Sequence, residues 1–180
     1  MYADNTLTPK EAARLCALGV LADGPVAYSE LAVSVRYFMD RVLGPSLDVL
    51  GASLELLTYE GLVETDNTDG NAVLSITGSG QDELHTLLTA NIRPGATDIN
   101  KLIVALKFRF MHLLDAAEQQ LQAEALVEST DTELTRLLDL RSHLETDQGF
   151  LLGWLDRQIS ELESHADWLG AFKERLSKSE

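Results

Sequence analysis

Apolar positions follow two rhythms along this chain, short and mixed up to about residue 93, long and wholly helical beyond it. Ala12, Leu15, Cys16, Leu18, Gly19 and Leu21 recur at the spacing of one helix face. Thr8-Pro9-Lys10-Glu11 stands before them as a capping box with proline at the first helical position. The pattern predicts a helix from there to Asp23-Gly24-Pro25. A second helix, capped by Ser29, turns Leu31, Val35, Phe38 and Met39 inward and ends near Gly44-Pro45. A third, capped by Ser46, carries Leu47, Leu50, Leu54 and Leu57 three and four apart. It stops at Glu60-Gly61, because glycine takes the left-handed conformation after a helix without steric cost.

After Gly61 the period shortens. Leu62-Val63-Glu64 and Ala72-Val73-Leu74-Ser75-Ile76 read as strands, and the Asp69-Gly70 pair in the joint between them signals a hairpin. Thr77 or Ser79 caps a fourth helix from Gln81 to Thr89, followed by a Pro-Gly linker from Asn91 to Thr97. Three helices and then a two-stranded hairpin is the order of a winged helix. The fold class expected is therefore mainly α with a small β wing. Residues 1–93 are expected to form a winged helix-turn-helix domain, and residues 94–180 a helical, coiled-coil dimerisation antenna.

In the second stretch, Ile99, Leu102, Ile103, Leu106, Phe110, Leu113 and Leu114 make a wide stripe that Val104, Ala105, Phe108 and Met111 extend most of the way round. A helix apolar on nearly every side is buried on nearly every side. That implies neighbours from a partner subunit. Asp115-Ala116-Ala117-Glu118 is a second capping box, opening a helix that runs to about Thr146 with a polar weak point at Ser129-Thr130-Asp131. The last helix carries Leu152, Leu155, Ile159, Leu162, Ala166, Leu169, Lys173 and Leu176 as a heptad seam. Leu106, Phe110, Leu152, Leu155, Ile159, Leu162 and Leu169 are accordingly the expected dimerisation residues. Trp154 and Trp168 lie two heptads apart on one flank, packed on another helix or lining an aromatic pocket for a small planar ligand with Phe108 and Phe110.

Charge changes the picture. Fourteen basic residues against twenty-nine acidic ones give −15, a sign that opposes tracking phosphates. The excess is spread over both halves, with five basic and thirteen acidic residues up to Arg93 and nine and sixteen after it. Composition otherwise fits an ordinary folded domain, since 45% of residues are apolar and no apolar run approaches the ~20 residues of a membrane span. The N-terminus lacks the basic-then-apolar pattern of a secretion signal, so a cytoplasmic protein is expected. One cysteine, Cys16, can build neither an intrachain disulfide nor a cysteine metal cluster, and its apolar neighbours make it a small core residue.

Catalytic chemistry finds no constellation to rest on. His85, His112, His143 and His165 have no metal-ligand spacing, and Gly78-Ser79-Gly80 is a capped turn rather than a phosphate loop. Carboxylates such as Asp156, Glu161 and Glu163 read as the solvated flank of a coiled coil. Neither an enzyme nor a metal or cofactor site is expected.

Three stretches resemble the PadR-like transcriptional regulators. Leu54-Glu55-Leu56-Leu57-Thr58-Tyr59-Glu60-Gly61-Leu62-Val63 is similar to the end of that family's recognition helix, and Ile76-Thr77-Gly78-Ser79-Gly80 to the close of its wing. Lys101 to Glu118 looks like its first antenna helix turning into its second. The resemblance spans Thr8 to about Leu176 and implies a winged helix dimerised by helices and a two-fold double-stranded DNA operator. Position by position, the family's recognition-helix tyrosine falls on Gly51 and its basic pair on Glu55 and Leu56. From Ser46 to Gly80 there is no lysine or arginine at all. The DNA-binding donors left are Arg36, Arg41, Ser46, Ser53, Thr58 and Asn67, with Lys10 and Arg14 on the first helix. Two functions follow: a homodimeric repressor whose operator affinity is weak or effector-tuned, or an acidic winged helix that acts on other proteins without strong DNA binding.

Overall fold

The computed structural model describes residues 5–43, 50–66, 72–93, 95, 97–144 and 149–178, the side chains of 50–53 excepted. Helix α1 (Pro9–Ala22) is the hub of the first of two compact units, which comprises Met1–Asn91 and Thr97–Leu114. Its capping box is formed: the Thr8 amide donates to Glu11 Oε2 at 2.8 Å, and the Glu11 amide donates to Thr8 Oγ1 at 3.3 Å. Eight of its fourteen residues are buried, four of them alanine or glycine in addition to four larger side chains. Small side chains on more than one face let neighbours approach from several directions. Helices α2 (Tyr28–Leu43), α3 (Leu50–Tyr59), α4 (Gly78–Leu88) and α5 (Asp98–Phe110) all pack on it.

The sheet has three strands rather than two. Strand β1 (Val26–Ala27) pairs antiparallel with β3 (Val73–Ile76), which pairs antiparallel with β2 (Val63–Asp66). The register sets Val26 against Leu74 and Val63 against Ile76. A two-residue strand carries no alternation for a sequence to display. Its presence moves the start of α2 forward to Tyr28, whose amide donates to the Ala72 carbonyl at 3.2 Å, so Ser29 lies within the first turn instead of capping it. Ser46, the expected cap of α3, lies outside the described residues.

Helix α5, for which a partner subunit was expected to supply neighbours, finds them in its own chain. Capped by Thr97, it buries Leu102, Ile103, Leu106 and Phe110 to within 1% of full burial among α1, α2 and α4 of its own unit. The Phe110 ring takes the space a side chain at Gly19 would need, 2.7 Å from an added Cβ. A single 3₁₀ turn (Met111–Leu113) ends it.

The second unit comprises Ile92–Ala96 and Asp115–Glu180. Helix α6 (Ala116–His143) starts at the second capping box, where the Glu118 amide donates to Asp115 Oδ1 at 2.8 Å. It is unbroken at the expected weak point, because the Thr130 hydroxyl turns back to donate to the Leu126 carbonyl at 3.0 Å and satisfies itself within the helix. Helix α7 (Leu151–Ser177) lies antiparallel to it, with ion pairs Arg141–Asp156 at one end and Lys173–Glu124, at 2.9 Å, towards the other. The α7 seam is buried here: Leu155 and Ile159 cluster with Leu137, flanked by Leu134, Leu144 and Leu162. The heptad periodicity is real, and it is spent on α6 of the same chain.

Candidate nucleic-acid interface

Helix α3 turns Leu54 and Leu57 into the core, which leaves Glu55, Leu56, Thr58 and Tyr59 exposed. Gly61 ends the helix at φ +74, the left-handed turn expected there. The junction behind it is held by one side chain. Thr77 Oγ1 donates to the Gly61 carbonyl at 2.8 Å and accepts the Gly80 amide at 3.1 Å, while the Thr77 amide donates to the Leu62 carbonyl at 3.0 Å. Thr77 therefore fixes the end of α3, the wing and the start of α4 to one another, and of the two caps expected for α4 it is the one used. Gly80 must stay glycine, since an added Cβ would lie 2.1 Å from the Leu62 carbonyl oxygen.

Arg14 makes a second tie, 2.7 Å from Glu60 at the end of α3 and 3.0 Å from Glu83 on α4. Burial opposes its charge, but the hydrogen bond to Glu83 and the charges of Glu60 and Glu83 outweigh that and raise its pKa. It positions α3 and has no free charge for a phosphate. The cations of α2 differ. Arg36 and Arg41 are exposed, and among the described residues neither has a carboxylate within ion-pair distance; Arg41 lies 4.5 Å over the Tyr37 ring. Lys10 is likewise exposed, with no ion pair among the described residues. Thr58 is exposed at the end of α3. Ser46 and Asn67 lie outside the described residues, as does the side chain of Ser53.

A family model of AphA-like transcriptional regulators matches residues 2–173. The chain belongs to that family. The PadR-like transcriptional regulator recognised from the sequence, with its winged helix, agrees with this membership. Among solved structures, Bacillus subtilis PadR is 16% identical over 96% of this chain and 98% of its own, with a TM-score of 0.42. A PadR-like regulator from Bacillus cereus is 15% identical over 93% of this chain and 99% of its own, at 0.40. Bacillus subtilis PadR in complex with operator DNA is 18% identical over 91% and 98%, at 0.37. No curated protein matches the chain. The family match, rather than these likenesses, decides the membership.

The other expected site residues of this AphA-like regulator are spread over both units. Leu106 and Phe110, expected at a dimer surface, are closed inside the first unit, where Phe108 is half-buried. Leu155, Ile159 and Leu169 are buried in the second unit, and Leu152 and Leu162 are half-buried there. Trp154 and Trp168 are exposed on α7, Trp168 stacked between His165 and Phe172 at ring distances of 5.9 and 5.8 Å. Among the described residues no group of three His, Cys, Asp or Glu side chains could hold a metal, and no helix is long and apolar enough to cross a membrane.

Two cations on α5 escaped the sequence reading. Lys107 is fully buried, its Nζ donating to the Leu88 carbonyl at 2.6 Å, and burial lowers its pKa to about 7. Arg109 lies half-buried with its guanidinium carbon 4.6 Å from the Phe38 ring centre and 4.9 Å from that of Phe110. The signal available was a lysine and an arginine within a helix otherwise apolar most of the way round.

Proposed function

We propose that this regulator is a dimeric, cytoplasmic repressor that reads a two-fold operator with one winged helix per subunit. The observation that supports it is the state of Arg36 and Arg41: in a chain of net charge −15, both stand exposed on α2 with no carboxylate among the described residues to neutralise them. Phosphate contacts supply most sequence-independent affinity and fix the register of a helix in the groove. Dimerisation doubles two arginines to four phosphate contacts, at half-sites about one DNA turn apart. Leu121, Leu138 and Leu140 on α6 and Leu151, Trp154 and Trp168 on α7 expose apolar surface that a second copy would cover.

Electrophoretic shift with the DNA upstream of the regulator's own gene tests this. Four phosphate contacts give a salt slope near −3.6, so affinity should fall roughly a hundredfold between ~50 and ~200 mM salt. Replacing Arg36 and Arg41 with alanine should abolish retention and flatten that slope. A specific feature favours the second reading, an acidic winged helix that docks on protein: the outward side of α3 carries Glu55, Leu56 at 45% exposure and Tyr59 at 89%, with no base among them. A wild type with no salt-sensitive shift at ~50 mM leaves that reading in place.

A further inference from the structure

We propose that Tyr37 is a positioning residue for operator binding: its ring holds Arg41 ready to take a backbone phosphate. This role rests on the operator reading above and deepens it. Leu31, Val35 and Met39 are the buried side of α2. Tyr37 is on another side, 61% exposed, where the core makes no use of its ring. Positions 37 and 41 are one helical turn apart and share a face. There the Arg41 guanidinium carbon lies 4.5 Å from the centre of the Tyr37 ring. Asp40 is one position from Arg41, and residues one apart do not face each other on a helix.

The kind of partner decides what Arg41 can still do. A carboxylate neutralises a guanidinium and occupies its N–H donors, as Glu60 and Glu83 do for Arg14. An aromatic ring attracts the cation through its face and takes none of the five donors that lie in the guanidinium plane. Arg41 therefore keeps its charge and its planar fork for a phosphate, which such a fork meets with two parallel hydrogen bonds. A solvated arginine loses rotamer freedom when it is fixed on a phosphate, and one already resting on a ring loses less. Arg36 differs, since among the described residues neither a ring nor a carboxylate holds it.

Fluorescence anisotropy of the full-length protein on DNA from upstream of its own gene, at ~50 mM salt, tests the role. Tyr37→Leu should weaken binding roughly tenfold over the dimer and leave the salt slope near −3.6, because all four phosphate contacts still form. Tyr37→Phe, which keeps the ring, should bind like the wild type. Arg41→Ala should halve the slope to about −1.8, and adding Tyr37→Leu to it should cost nothing further. Y37F as weak as Y37L overturns the proposal, because the hydroxyl would then be the working group. A cost of Y37L that persists beside R41A also overturns it, as the mark of a merely structural ring. Tight wild-type binding left unchanged by Y37L overturns the role while the operator reading stands. Nuclear magnetic resonance without DNA adds an independent arm: the ring current of Tyr37 should shift the Arg41 side-chain protons in the wild type and Y37F, and not in Y37L. No such shift in the wild type overturns the role whatever the DNA does. A wild type without salt-sensitive binding brings down the operator reading and this role together.

Discussion

Lys107 makes the stability of this regulator depend on pH in a way few surface charges could. Its ammonium reaches the carbonyl of Leu88, the last residue of α4, where helix carbonyls lack intrahelical donors and the helix dipole is negative. Burial nevertheless pulls its pKa from 10.5 to about 7. Between those values the unfolded chain binds a proton that the folded chain has released, so stability rises with pH there. Below about 7 both states are protonated and the dependence vanishes. Cys16 acts oppositely: its folded thiol is at about 12 against an ordinary 9.0, so the unfolded chain loses that proton first and stability falls above pH 9. The clean window is therefore pH 7 to 9. One proton corresponds to at most ~1.4 kcal/mol per pH unit, and half-protonation at the start trims the total to ~2 kcal/mol. Urea unfolding at pH 6, 7, 8 and 9 should show this rise in the wild type. Lys107→Met, which keeps the side-chain volume and cannot titrate, should lack it. Parallel pH profiles for the two proteins would refute the reasoning.

Other expectations follow from packing. Gly80→Ala should destabilise the first unit by ~3 kcal/mol or more, because the clash is with a backbone carbonyl that already holds the Thr77 amide; urea midpoints measure it. Thr77→Ala should cost ~1–2 kcal/mol as a lost cap, and hydrogen exchange should quicken at Gly80, whose amide loses its acceptor. Phe110→Ala should cost ~3–5 kcal/mol without weakening self-association in sedimentation, since its ring faces Gly19 of the same chain. Were the ring part of a dimer surface, the dimer would dissociate instead.

Local signals were legible wherever one residue type had one reason to be present. Thr8 with Glu11 and Asp115 with Glu118 close their boxes, Gly61 turns left-handed, and β2 and β3 pair within a residue or two of where alternation placed them. Of the candidate interface, Arg36 and Arg41 could be named from the sequence, as the bases nearest a recognition helix that has none. That no carboxylate among the described residues pairs with them, whereas Arg14 is engaged by Glu60 and Glu83, required the fold. Ion pairs such as Arg14–Glu83 join residues far apart in the chain, and no spacing rule reports them.

Periodicity by itself determined which faces of these helices are apolar, and caps and glycines determined where several of them start and stop. It could not determine what each face meets. The stripe on α5 closes on α1, α2 and α4, and the heptad seam of α7 closes on α6, because an apolar face gains the same free energy from any complementary neighbour, and the chain's own helices are already tethered at high effective concentration. Burial of Lys107 and the seat of Arg109 over the Phe38 ring were decided at that stage too, by which helices came to lie around α5.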